Sequence, residues 1–572
     1  MGFTSRLVKL DWVVKLLFAR GEGSGGGCPL LYPLFLFFLA YSMAQFDQFI
    51  LRATYTQVAQ EIGYGDQGCM RNESFPISKS LSHKTCLEIS TETECFGAQE
   101  NGTFGCKWDY TGQGFDYQIL AGPVFIGIYT FAAIPVAAIP TVTGGSWCQP
   151  SSFGSWDANN NDGLVGAAYR KLWGHFNIGI LLGISVVFWS ACTLLTGFVD
   201  SYWQLLVLRF GLGLGQSGCT PFAASLISDY FSEQLRGAAL GVYNWGIYTG
   251  YSMSFALGNL ITQANINGQG WRWVFIIAGI PGIFLGFLIM LTVREPERTK
   301  GKNEPGDKDE VRSSCGHLCH IVSSFCRPSI LLLCLAGSIR NAAGYVWAYN
   351  TQIYYETLGE SRGQIASWLS LVPMIGGSIG VLVGGFISDR FAAHGTGPHG
   401  RIWVLIMSQI LAAPFAAGAL VLPPPYAYMS LIPTYIIGEM WVSVTLAVLV
   451  ELVPAKIKTT SVAVYFFIIS NIGGNMPLLV PVLRPAFESW GYTKEAALRF
   501  TLLALYPGEY VLGSALFLLT LFVLKRDIAY IQEHLTKSDP PNVEVVAMDK
   551  KLPHNPQPDP ELEKQGQEQT KM

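Results

Sequence analysis

The sequence predicts an all-α membrane protein of twelve transmembrane helices arranged as two six-helix pseudo-repeats. Three observations predict it. Only 13% of the 572 residues are Asp, Glu, Lys or Arg and 50% are apolar, where a soluble globular chain carries about 25% charge. The charges cluster between long apolar runs of bilayer-spanning length. A set of polar positions in the first half recurs in the second at an offset of 222 or 223 residues. These features exclude an ordinary cytosolic enzyme, and 37 basic against 40 acidic residues, a net charge of -3, leave no polybasic field for nucleic acid.

Apolar windows place spans 1 to 12 near 31–53, 117–140, 176–198, 205–228, 237–262, 272–293, 329–354, 364–388, 402–422, 427–452, 459–483 and 498–524. The short loops after spans 2, 6, 8 and 10 hold Arg170, Lys171, Arg294, Arg298, Lys300, Lys302, Arg390, Arg401, Lys456 and Lys458. Loops on the opposite side, such as Asp200 to Gln204 and Pro423 to Tyr426, hold almost no basic residues. By the positive-inside rule the basic loops are cytoplasmic, which puts both termini in the cytoplasm.

The first half, 31–293, includes an outer loop at 54–116, and the second half is 329–524. The outer loop carries two glycosylation sequons, at Asn72 and Asn101, with Cys69, Cys86, Cys95 and Cys106. Each feature requires a secretory-pathway lumen. Four cysteines allow three pairings, and sequence does not choose between them. An enzyme that trims N-glycans is expected to shift the protein on a gel; no shift from either site would reverse the orientation. The linker 294–328 is charged and then Cys-rich, and the tail 525–572 reads as disordered and cytoplasmic. Residues 1–30 form a cytoplasmic segment with an amphipathic start, Leu7 to Phe18, and no signal-peptide cleavage pattern; Arg6 stands where N-myristoylation requires Ser or Thr.

The internal repeat lies in spans 4–5 and 10–11. Gly215-Gln216, Asp229, Arg236 and Val242-Tyr243 correspond to Gly438-Glu439, Glu451, Lys458 and Val464-Tyr465. Parallel six-helix repeats of this kind form the major facilitator architecture, in which substrate binds near the midplane and the halves rock about it. After span 8, Gly385-Phe386-Ile387-Ser388-Asp389-Arg390, with Arg401 beyond, resembles the signature loop of that superfamily. An acid with nearby bases can tie helix ends together there, so Asp229, Arg236, Asp389, Arg390, Glu451 and Lys458 are the gating candidates. The corresponding loop after span 2 departs from the pattern, with an insertion over 143–161 and only Arg170-Lys171 remaining.

An ionisable residue inside a span is costly and marks a pathway by default. Here they are Asp47 and Arg52 in span 1, Arg209 in span 4, Arg340 in span 7, Glu439 in span 10 and Glu509 in span 12. All but Glu509 fall on spans 1, 4, 7 and 10, which line the cavity in the major facilitator arrangement. At 1.5 Å per residue, Gln216, Arg340 and Glu439 sit roughly 17 Å deep, near the midplane. The substrate- and proton-binding candidates are therefore Asp47, Arg209, Gln216, Arg340 and Glu439, with the cations attracting an anion and the acids balancing them or carrying protons. Fixed ion pairs between helices are the competing reading. Arg52 is as well suited to snorkelling at the outer end, and Glu509, on a peripheral span, to hydrogen-bonding its neighbours.

All eight histidines fall in loops, termini or at a span boundary, which weighs against a membrane-embedded hydrolase or acyltransferase. Cys315, His317, Cys319, His320 and Cys326 fit no zinc-finger spacing. Neither a metal nor a cofactor is expected.

The run from Arg209 to Gln216, followed by Asp229 and Arg236, resembles span 4 of the spinster-like lysolipid and sphingolipid transporters. Arg294-Glu295-Pro296-Glu297-Arg298, Gly438-Glu439, Val453-Pro454 and Gly474-Asn475-Met476-Pro477 are similar to further motifs of that family. Two positions depart from it: Asp47 is followed by Gln48 where members carry Asp-Arg, and Gln216 stands where they carry Glu. The resemblance implies a transporter of a small amphiphilic organic anion, a lysophospholipid or sphingoid phosphate, with protons as a candidate coupling partner, in the plasma or lysosomal/endosomal membrane. The long outer loop looks more like that of the organic cation and anion transporters. A receptor or sensor that retained the fold without transport is the third alternative.

Overall fold

A computed structural model of the chain describes residues 31–71, 86, 89, 91–95, 106–133, 178–231, 233–293, 324–393, 397–453 and 458–538. Asn72, Asn101, the 143–161 insertion, Arg170, Lys171 and residues 294–323 lie outside the described residues, as do the side chains of Arg236 and Lys458. One compact unit runs to Leu524; the second begins at Lys525, and its described part, to Ser538, is helical.

Helix is found at each of the twelve expected spans, and nine helices among the described residues are long and apolar enough to cross a membrane by length and composition. Span 2 is described only to residue 133, and span 4 is interrupted. Span 5 is a single helix, Glu233–Ala264, with polar residues along its length. Spans 3, 6, 7, 8 and 9 are Ile178–Thr196, Gly270–Thr292, Pro328–Thr357, Arg362–Phe391 and Pro398–Val421.

The other spans are broken, which apolar windows do not reveal. Span 1 is Leu31–Phe49 followed by Leu51–Ile62. Span 4 is Tyr202–Gln216 and Cys219–Tyr230, and span 10 is Tyr426–Gly438 and Trp441–Leu452. The interruptions in spans 4 and 10 fall within one residue of equivalent repeat positions, after Gln216 and after Gly438. In span 11, Lys458–Asn475 passes through a 3-10 turn, Met476–Leu479, into Val480–Ser489. In span 12, Pro507 starts a new helix after Lys494–Leu505, because proline cannot donate the hydrogen bond that would continue the old one.

Small residues bring the helices together, since in lipid close packing and interhelical bonds replace the hydrophobic drive. A Cβ at Gly250 of span 5 would lie 2.1 Å from the Ser42 carbonyl oxygen of span 1. The obstacle is backbone and cannot swing aside. Gly250→Val is therefore expected to destabilise the first half by about 1–3 kcal/mol, measured as a lowered melting temperature in detergent. Across the two halves, span 5 lies along span 8 and span 2 along span 11.

The outer loop contributes a two-stranded antiparallel hairpin, β1 (Gln67–Arg71) with β2 (Cys106–Tyr110). Among the three possible pairings, the structure has Cys69–Cys95 and Cys86–Cys106. The four cysteines are buried together with Ile89 and Trp108 against them. None of the four is expected to react with a maleimide before reduction.

Candidate functional site

The break in span 10 makes the first half of the site. A helix that stops leaves its last carbonyls without intrahelical partners, at the negative end of its dipole. The Gly438 carbonyl accepts from Arg340 Nη2 at 3.0 Å and from Gln409 Nε2 at 3.3 Å. The same Arg340 nitrogen forms an ion pair with Glu439 Oε1 at 3.1 Å. The Arg340 side chain is 1% exposed while that of Glu439 is 19% exposed, so the carboxylate is the open end of the pair. Rings of Tyr510 and Trp441 stand 4.3 and 5.5 Å from the guanidinium carbon, and Arg340 Nε has no hydrogen-bond partner.

The break in span 1 makes the second half. Arg209 Nη1 donates to the carbonyl oxygens of Asp47 and Gln48, each at 3.3 Å. Gln216, two turns along span 4, donates to the Ala44 carbonyl at 3.0 Å. Arg209 is thus held by the backbone beside Asp47, not by its carboxylate. Asp47 Oδ1 and Arg209 Nη2 are both buried without partners. The structure brings Asp47, Arg209 and Gln216 together, and separately Arg340 and Glu439.

Tyrosines that composition did not single out cross from one half to the other. Tyr248 of span 5 donates to Glu439 Oε2 at 3.4 Å, and the Tyr251 and Tyr435 hydroxyls meet at 3.4 Å. Glu439 therefore touches Arg340 in its own half and Tyr248 in the other. Toward the hairpin, Tyr55 donates to Glu356 at 2.6 Å, Tyr117 to the Tyr349 carbonyl at 3.1 Å, Gln118 to Asn350 at 3.0 Å and Arg484 to Gln113 at 2.6 Å. These bonds close the hairpin end of the seam between the halves. At the same end, burial pushes the Asp66 carboxyl above its ordinary range and Arg484 draws it back. A folded-state value raised in this way favours protonated Asp66, so its contribution to stability is lost as pH rises through that value.

Two further placements differ from expectation. Arg52 does not snorkel: it is 1% exposed, inside the seam. Glu509 is 5% exposed, and its Oε2 has no hydrogen-bond partner.

At the opposite end, bonds with two of the gating candidates and with Ser388 converge on Arg401. It donates to Asp389 at 2.6 Å, Ser388 at 2.8 Å and Glu451 at 2.8 Å, joining spans 8, 9 and 10. Asp229 lies near the end of span 4 and Arg390 near the end of span 8. The sequence signal for Arg401 was its place after the span 8 motif. Because Asp389 is 72% exposed, its bond is weak alone. Arg401→Ala is expected to cost roughly 1 kcal/mol, and Arg401→Lys to restore little of it, since Lys lacks the fork that reaches both carboxylates. Thermal unfolding of both variants measures the difference.

The Major Facilitator Superfamily profile matches residues 174–476, more than half of the chain. The chain belongs to the Major Facilitator Superfamily. It is a multi-pass membrane transporter and not an enzyme. It is similar to an MFS-type efflux pump of Mycolicibacterium smegmatis, with 25% identity over 368 residues, 64% of this chain and 82% of that one. The sphingosine-1-phosphate transporter SPNS2 of Danio rerio is 32% identical over 141 residues, 24% of this chain and 27% of the relative. Protein spinster homolog 1 of Xenopus tropicalis is 22% identical over 395 residues, 64% of this chain and 72% of that one. Among solved structures, a bacterial homologue of the human lysosomal transporter Spinster superposes with a TM-score of 0.62 at 19% identity, covering 88% of this chain and 99% of that one. A D-xylose-proton symporter gives 0.55 at 13% identity, over 85% and 97%. These structures share the fold. In a major facilitator fold the two halves move against each other about a central site.

Proposed function

We propose that the protein is a secondary active, alternating-access transporter of an amphiphilic organic anion, a lysophospholipid or sphingoid phosphate. The observation that carries this reading is Arg340, a guanidinium 1% exposed whose ion-pair partner Glu439 is the more open member of the pair. An anion entering beside Glu439 would find a desolvated, pre-positioned cation, and charge-assisted bonds in such a place are the strong ones. The tyrosines around it suit an amphiphile, presenting apolar ring faces with a hydroxyl at one edge. The names of the SPNS2 and spinster relatives support a sphingoid phosphate in particular.

Proton coupling is the second part of the proposal. Asp47, buried with an unpartnered carboxyl oxygen, and Glu439, bridging both halves, are the carriers. The hairpin faces the lumen or the outside and both termini face the cytoplasm, as the basic loops favour, in the plasma or lysosomal/endosomal membrane. Uptake of labelled sphingoid phosphate, lysophospholipid and a small organic anion into proteoliposomes tests the reading. Movement of the lipid and not the small anion is the expected result. The reverse would indicate an organic-ion carrier, and movement of neither a receptor.

A further inference from the structure

Arg52 is a buried cation whose hydrogen-bond partners are all neutral. Its Nη1 donates to the Ala348 carbonyl at 3.0 Å, and its Nη2 to the Tyr251 carbonyl at 2.9 Å and to Ser254 Oγ at 2.6 Å. Rings of Phe255, Tyr251 and Phe49 lie 3.7, 3.9 and 4.8 Å from the guanidinium carbon. Arg52 Nε has no partner. The residue stands in the seam one turn from Tyr55, whose bond to Glu356 joins the same halves.

The partners divide unequally. Tyr251, Ser254, Phe49 and Phe255 all belong to spans 1 and 5 and travel with Arg52 in the first half. Among the described residues, Ala348, on span 7, is its one hydrogen-bond partner in the second half. When the hairpin end opens, Arg52 therefore keeps its aromatic faces and two of its bonds and loses one bond to a carbonyl. In exchange, water reaches a guanidinium that closure had dehydrated. Removing a charge from water costs more than one charge-assisted bond to a neutral acceptor returns, and only what differs between two states can shift the balance between them.

We propose that Arg52 is a charged spring in the hairpin-end gate: its dehydration on closure biases that end toward opening and keeps the closed state from becoming a trap. The role does not depend on which substrate is carried, so it survives failure of the anion reading.

The test is the accessibility of a reporter cysteine at Ala348→Cys, whose side chain is 4% exposed in the closed seam and whose backbone carbonyl is unaltered by the substitution. A membrane-impermeant maleimide is applied from the hairpin side of intact cells or oriented vesicles, with protein lacking the reporter as the background control. In this setting Arg52→Met, which keeps length and removes charge, is expected to slow labelling by about tenfold. Arg52→Lys, which keeps a charge to dehydrate, should label close to the parental rate. Equal or faster labelling of Arg52→Met would make Arg52 a clamp or a bystander and overturn the proposal. Arg52→Gln serves as the second neutral variant, and size-exclusion profiles and melting curves of all variants separate a shifted gate from a misfolded protein.

Discussion

Arg340→Ala is expected to weaken substrate binding by about ten- to two-hundred-fold while expression stays intact, because a charge-assisted bond in a desolvated site contributes about 1.5–3 kcal/mol. Scintillation proximity or tryptophan fluorescence on purified protein measures the loss. Arg340→Lys should recover part of it, since Lys keeps the charge but replaces the planar guanidinium, whose Nη2 donates to both the Gly438 carbonyl and Glu439, with a compact ammonium on a flexible stem. The alternative outcome is equally definite. If Arg340 and Glu439 serve only to hold spans 7 and 10, removing one partner strands a buried charge and costs about 3–5 kcal/mol of stability. The double neutral variant would then recover folding and transport together. Binding lost with folding retained separates the two roles, and the open side of Glu439 favours that result.

Glu439→Gln is expected to abolish accumulation driven by a pH gradient while substrate exchange continues, because Gln mimics a permanently protonated carboxyl. Exchange needs the halves to rock with substrate bound, whereas net accumulation needs the proton to come and go. The Tyr248 bond gives this carboxylate a contact in the opposite half, so its protonation alters both its ion pair and the seam. Uptake into proteoliposomes with and without an imposed gradient makes the comparison. Undiminished gradient-driven uptake by Glu439→Gln would exclude it as the coupling site and move the role to Asp47. Asp47→Asn should then lose the gradient response, because its unpartnered oxygen would no longer bind and release a proton.

What the sequence by itself determined was where the chain meets lipid and which residues are costly there. Twelve apolar stretches, their loop charges and the recurrence of Gly438-Glu439 after Gly215-Gln216 depend on local composition and on a constant rise per residue. Arg209, Arg340, Asp47 and Glu439 stood out because burial in lipid is expensive for any ionisable group. Tertiary structure decided which atoms answer them. Breaks after Phe49 and Gly438 offer backbone carbonyls in place of side-chain partners, so Arg209 bonds to the carbonyl of Asp47 and leaves the carboxyl oxygen Oδ1 unpartnered. Apolar windows carry no sign of such breaks. Arg52, equally compatible with snorkelling in one dimension, is enclosed because spans 5 and 7 converge on it from 199 and 296 residues away. The cysteine pairing, the convergence on Arg401 and the tyrosines of the seam were settled in the same way. Each depends on the rotation and closeness of helices far apart in the chain, and small residues such as Gly250 set those through contacts that hydropathy does not record.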